Sequence, residues 1–196
     1  MRAAERNNYK RGWFRRRARR LSQRRFVFVD ESAVNTAMTR RYGRAPRGER
    51  AHDSVPRNYG THTSVIGAMG LRGLVAALTV EGAVDTDCFN AYLERVLGPR
   101  LRRGDVVVLD NLTAHRASRI EEVAEARGAR VLWLPPYSPD FSPIEQCWSK
   151  IKSHLRGAKA RTRQELEKAL ATGLGLVTKS DIRGWFKHCG YSSAHE

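Results

Sequence analysis

Cysteine is scarce and scattered. The chain has three, Cys88, Cys147 and Cys189, far apart and without CxxC spacing, which speaks against a disulfide framework or a cysteine-built zinc site and for a reducing compartment. Long apolar runs are missing too. No stretch reaches the roughly 18 residues that a membrane-spanning helix needs, and the arginine-rich start is not followed by the apolar segment of a secretory signal. A cytoplasmic location is therefore expected. No GxxxxGK[ST] motif occurs, which removes the phosphate-cradling loop of nucleotide hydrolases. Acidic residues are outnumbered: 20 Asp and Glu face 36 Lys and Arg, a formal charge of +16. So large a surplus either repels itself or meets a polyanion, and the phosphate backbone of a nucleic acid is the commonest such partner.

What is present suits one soluble domain with appendages. The 196 residues are 41% hydrophobic and 29% charged, too apolar for a disordered chain and too few for two full domains. Residues 1–25 hold eleven Lys or Arg and one acid, Glu5, and read as a basic arm or linker helix with Trp13, Phe14 and Leu21 as its apolar handholds. Residues 26–196 read as the folded body. FVFVDES (26–32) is a short buried strand; RRYGRAPRGER (40–50) is an exposed basic loop or hairpin; 61–70 and 73–82 are strands joined by a tight turn. A helix over 85–98, a strand over 105–110, a helix over 116–128 and a strand over 129–135 follow. Helices over 143–156, 162–177 and 180–188 close the chain. Hairpin-linked strands must be antiparallel, and strands linked through a helix favour parallel crossovers. The expected architecture is α/β, a mixed sheet of about five strands with helices on both faces.

Three acids stand out. Asp30 closes or nearly closes the first strand, Asp110 ends VVVLD, and Glu145 opens the helix after the last strand. Loops diverge at strand ends, so acids there can meet at a ligand-binding edge. Each also has a plainer role: Asp often begins a turn, and SPIE offers Ser142 as N-cap, Pro143 as first helical residue and Glu145 as the third, a full capping box. Both readings of Glu145 stay open on spacing alone. Clustered carboxylates on a basic protein suit Mg²⁺, which binds hard oxygens while keeping waters and substrate phosphates, and a pair of such ions suits in-line phosphoryl transfer. The helix behind Glu145 carries Ile144, Cys147, Trp148, Ile151 and Leu155 on one stripe, with Lys150, Lys152 and Arg156 facing outward.

Asp30 in FVFVDES, Asp110 in VVVLDNLTAH and Glu145 in LPPYSPDFSPIEQCWSKIK, with thirty-four residues between the last two, resemble the three acids of a DDE transposase. The motifs are similar to those of the mariner-like superfamily and most of all to its bacterial branch, insertion sequence family six-thirty; RRYGRAPRGER and WFKHCGY add to the likeness. The resemblance implies a ribonuclease H-like fold and a nuclease and strand transferase that moves its own element, usually at TA dinucleotides. It implies two Mg²⁺ or Mn²⁺ ions held by Asp30, Asp110 and Glu145, with Asn111 and His115 in support. Partners implied are element ends and target DNA, held by Arg15, Arg16, Arg17, Arg19, Arg20, Arg40, Arg41, Arg44, Arg47, Lys150 and Lys152, by a homodimer in the bacterial nucleoid. Members carry helix-turn-helix modules ahead of the first catalytic strand, and this chain starts almost on that strand. It is expected to be the second frame of a split gene, served by a separate helix-turn-helix protein, or a truncated copy. A catalytically silent DNA-binding remnant is the alternative from another class, and a resolvase or ribonuclease on the same fold is a third.

Overall fold

Alternation along the first strand builds a core on both of its faces. In the computed structural model, which describes residues 6–58, 60, 62–110 and 114–191 (of 114–117 the backbone alone), β1 spans Phe26–Asn35. Phe26 and Phe28 belong to one hydrophobic cluster and Val27 and Val29 to the other, as period-2 side chains must. β2 (His62–Gly70) and β3 (Gly73–Glu81) form an antiparallel ribbon, and β2 pairs antiparallel with β1. The turn between them ends at Gly73, whose φ of +129° only glycine takes without strain. β4 (Val106–Leu109) and β5 (Arg130–Trp133) then lie parallel on the other side of β1, giving the order β3-β2-β1-β4-β5. The expected mixed five-stranded sheet with helices on both faces is the one observed.

Between β3 and β4, α2 (Thr86–Ala91) widens into a π-type turn over Tyr92–Leu97, covering most of the predicted helix. Together with α3 (Ala114–Ala126) it seals one face through Phe89, Tyr92, Leu93, Leu97, Ile120 and Ala124. The other face is covered by α1 (Asn8–Arg19), α4 (Ile144–Ala158), α5 (Arg163–Gly175) and α6 (Lys179–His188). The stripe read from the sequence of α4, Ile144, Cys147, Trp148, Ile151 and Leu155, is its buried face. α1 lies within the predicted basic arm and is seated on the body by buried Phe14 and Ala18; burying a phenylalanine contributes about 1.5–3 kcal/mol.

The residues at the two ends of 105–110 have opposite fates. Asp105 is fully buried and accepts from Arg72 Nη1 at 3.0 Å and Nη2 at 2.7 Å and from the Arg102 amide at 2.9 Å. It ties the β2–β3 turn to the foot of β4. Removing one partner strands a buried charge, so Arg72→Met is expected to cost about 3–5 kcal/mol, checked by urea unfolding against wild type; a loss below about 1 kcal/mol would mean that the pair behaves as a surface contact.

Candidate active site

Sheet register brings the first two acids together. β1 and β4 pair as Phe26↔Val106, Val27↔Val107 and Phe28↔Val108; two residues further on, Asp30 and Asp110 come abreast just past the end of β4. β1 itself does not stop there. It runs on to Asn35 because β2 continues to pair with it, so Asp30 sits inside the strand, opposite Gly67, rather than at its end. After β5 the Leu134 amide still donates to the Leu109 carbonyl at 2.8 Å, and the chain then turns away through Pro135 and Pro136. A short 3₁₀ turn, Pro139–Phe141, leads to α4 and Glu145. Asp30, Asp110 and Glu145 line a single cleft of about 510 Å³, walled by Val29, Leu134, Pro135, Pro136 and Ser142 among others.

Among the described residues lining that cleft none is a lysine, arginine or histidine. The consequence shows at Asp30, whose pKa is pushed up to about 7, first by burial and then by the negative charges of Glu145 and Asp110. Loss of solvent also raises Asp110. Uncompensated carboxylates that disfavour their own ionisation are a common mark of a functional site. Among the described residues no three His, Cys, Asp and Glu side chains form a ready-made metal site. The donors are hard oxygens, which suit Mg²⁺ or Mn²⁺ with the rest of the shell supplied by water and substrate phosphate.

Trp148, one helical turn beyond Glu145, donates from Nε1 to Asp30 Oδ2 at 3.0 Å. α4 therefore supplies one acid and holds another. The indole reaches Asp30 by lying on Gly67, where a Cβ would stand 2.5 Å from Cη2 of the ring. Sequence reading placed Trp148 in the core stripe and overlooked Gly67; the available signal was a tryptophan at i+3 from the candidate acid. Gly67→Ala is expected to push the indole off Asp30 and to cost about 1–3 kcal/mol as overpacking, measured by urea unfolding. Unchanged stability would show that the ring slides aside freely.

The two readings of Glu145 are separated by its neighbours. α4 starts behind Pro143 with no side-chain cap, so the expected Ser142 capping box does not form. A box needs the Ser142 N–H free to receive the glutamate, and that N–H already donates to the Pro139 carbonyl at 2.9 Å in the 3₁₀ turn. Real capping boxes occur at Thr162–Glu165 and Thr178–Asp181, where no such turn precedes the helix. Glu145 is exposed and lines the cleft.

Of the expected DNA-contacting residues, Arg15, Arg16, Arg17, Arg19 and Arg20 are exposed on or just after α1, and Arg40, Arg41, Arg44 and Arg47 are exposed in the segment between β1 and β2. That segment is tied down by Lys159 on Asp53 at 2.6 Å and by Arg161 on the Thr36 carbonyl and Thr39 Oγ1, both at 2.8 Å. Lys152 is half-buried, and Lys150 is held by Asp181 at 2.6 Å. Asn111 lies outside the described residues, as does the side chain of His115, whose backbone is in the first turn of α3.

Residues 25–167 match the family model described as DDE superfamily endonuclease. The chain belongs to this family. Over 144 residues this DDE endonuclease is 28% identical to the transposable element Tcb2 transposase of Caenorhabditis briggsae, a match covering 68% of the chain and 53% of the relative; the chain thus spans about half of that protein. A shorter match, 28% over 85 residues, is to the Tcb1 transposase of the same organism. Among solved structures, the Mos1 mariner paired-end complex with Mn superposes with a TM-score of 0.72 at 18% identity, covering 97% of this chain and 62% of that one. The Mos1 catalytic domain with Raltegravir and Mn gives 0.65 at 15% identity, covering 93% and 88%. These likenesses show that the DDE endonuclease has a ribonuclease H-like fold. No helix among its described residues is long and apolar enough to cross a membrane.

Proposed function

We propose that this DDE endonuclease is the catalytic domain of a transposase, cutting DNA at the ends of a mobile element and joining those ends to target DNA. The observation that carries the reading is the convergence of Asp30, Asp110 and Glu145 in one cleft whose described lining has no basic side chain, on a chain of charge +16. In this reading the three acids hold two Mg²⁺ or Mn²⁺ ions, which would activate a water or 3′-hydroxyl nucleophile and neutralise the leaving oxygen. The chain's own side chains do the rest. Trp148 fixes one oxygen of Asp30, and the prolines restrict the loop that carries Glu145. Arginines of α1 and of the 40–50 segment, with Lys150 and Lys152, hold the phosphate backbone, and Asn111 and His115 keep a supporting role. Residues 1–25 serve as linker and 26–196 as catalytic unit. We place the chain in the bacterial insertion sequence family six-thirty, acting at TA sites in the nucleoid as a homodimer on DNA, with a helix-turn-helix protein as a partner at the element ends. A silent DNA-binding remnant is less well supported, because all three acids and the tryptophan that orients Asp30 are in place.

The test is cleavage of an end-containing duplex with Mn²⁺ or Mg²⁺, with and without EDTA. Nicking that persists in EDTA, or that survives Asp110→Asn, would sink the catalytic reading. Mn²⁺ binding by the DNA-free protein, followed by calorimetry, gives a second readout that does not need the end-binding modules.

A further inference from the structure

Arginine is almost never fully buried unless paired, and Arg11, at the end of the first turn of the basic helix α1, is 4% exposed. Its guanidinium grips Asp140 with both arms, Nη1 to Oδ1 at 2.9 Å and Nη2 to Oδ2 at 2.6 Å, the fork geometry that fixes direction as well as distance. The same guanidinium lies 4.0 Å from the centre of the Phe141 ring, which Phe14 stacks at 5.3 Å and Arg15 caps at 4.9 Å. From the other side the Tyr191 hydroxyl donates to the Phe141 carbonyl at 2.7 Å, fully buried. Asp140 and Phe141 are two of the three residues of the 3₁₀ turn that takes up the Ser142 N–H and delivers Glu145.

We propose that Arg11 is a positioning residue for Glu145: it orients the Pro139–Phe141 turn, and through it the start of α4. The proposal rests on the reading of Glu145 as a catalytic acid. Apolar contacts would suffice to hold α1, since Phe14 and Ala18 are already buried. With Asp140 half exposed, the pair adds little net stability; what the bidentate fork adds is a defined orientation of the turn. The same helix exposes Arg16 and Arg17 on its solvent side, so one element carries both exposed arginines and the grip on the turn before α4.

Arg11→Met keeps the length and apolar stem and removes the fork; Arg11→Lys keeps the charge but only as a point. Both are compared with wild type in the full chain by hydrogen exchange, Mn²⁺ calorimetry and binding of a fluorescent duplex. Arg11→Met is expected to speed exchange of the amides of 140–145 by about 10-fold or more, with exchange in β1 and β4 unchanged. It should weaken Mn²⁺ binding by about 10–100-fold, the range for groups that orient metal ligands, and leave duplex affinity within about 2-fold, since a buried arginine contributes no phosphate contact. Arg11→Lys should recover less than half of the exchange protection. If Arg11→Met does not fold, Asp140→Asn breaks the pair from its half-exposed side with the same readouts. Unchanged exchange over 140–145 in the folded variant overturns the proposal. A wild type that binds no Mn²⁺ overturns the metal reading instead, and exchange still decides whether Arg11 sets the turn.

Discussion

Asp110→Asn, Asp30→Asn and Glu145→Gln should each yield a folded protein whose metal-dependent DNA cleavage has fallen by more than about 100-fold, beyond the 10–100-fold typical of groups that merely orient a ligand. Each exchange keeps the side chain's size and removes the charge on which a hard cation depends. Duplex binding should persist, because the arginines proposed to hold phosphate are not among the cleft residues, and contacts of that kind weaken with salt rather than with these substitutions. Gel-resolved cleavage, fluorescence anisotropy and a thermal melt separate the three quantities. Asp105→Asn is the control from the same segment: it should destabilise, since Asp105 is paired with Arg72 in the core, and have no selective effect on metal binding. Equal behaviour of Asp105→Asn and Asp110→Asn would remove the distinction between a structural and a functional aspartate on which the site rests.

The second large effect concerns pH. Asp30 has a folded-state pKa of about 7 against an ordinary 3.8, so between these values the folded protein keeps a proton that the unfolded chain has released. Stability contributed by protonated Asp30 is full below about pH 4 and is lost as pH rises through 7. The loss is on the order of 4 kcal/mol at most, from 1.36 kcal/mol per pH unit, and rearrangement of the ionised cleft will reduce it. Asp30→Asn cannot ionise and can still accept from Trp148. In EDTA the variant should therefore gain on wild type by at least about 1 kcal/mol between pH 5 and pH 8. Carboxylates with lowered pKa values, such as Asp140 beside Arg11 and Asp181 beside Lys150, act in the opposite sense but are common to both proteins and cancel in the difference. Adding Mn²⁺ at pH 8 should stabilise wild type by mass action and leave the variant unmoved. A pH-independent gap in urea unfolding would show that neither burial nor its acidic neighbours raise the pKa of Asp30.

Much of the fold was legible because its elements are set by short-range pattern. FVFV and VVVL are continuously apolar, as buried strands are; the stripe of α4 could be read residue by residue; and the glycines on either side of Leu71 and Arg72 marked the tight turn. The three acids were legible as strand-end and helix-start residues, and the resemblance to DDE transposases joined them. Local rules failed where a partner far along the chain took the group they relied on. The capping box at Ser142 was spelled out in SPIE, yet the Ser142 N–H is used by the turn before it. Asp30 was placed at a strand end, yet β2 prolongs β1 by five residues beyond it.

By itself, then, the chain of residues determined the charge, the strand and helix order, the places of the candidate acids along the chain and the stiffness of the segment leading to Glu145, because all of these depend on side-chain chemistry and spacing within a few residues. The tertiary structure decided which acids share a cleft, that Gly67 makes room for Trp148 to hold Asp30, and that Arg11 grips the turn 129 residues away. Those relations exist only after the sheet register has closed, since the free energy of burying a charge or seating a ring depends on atoms that sequence distance does not order.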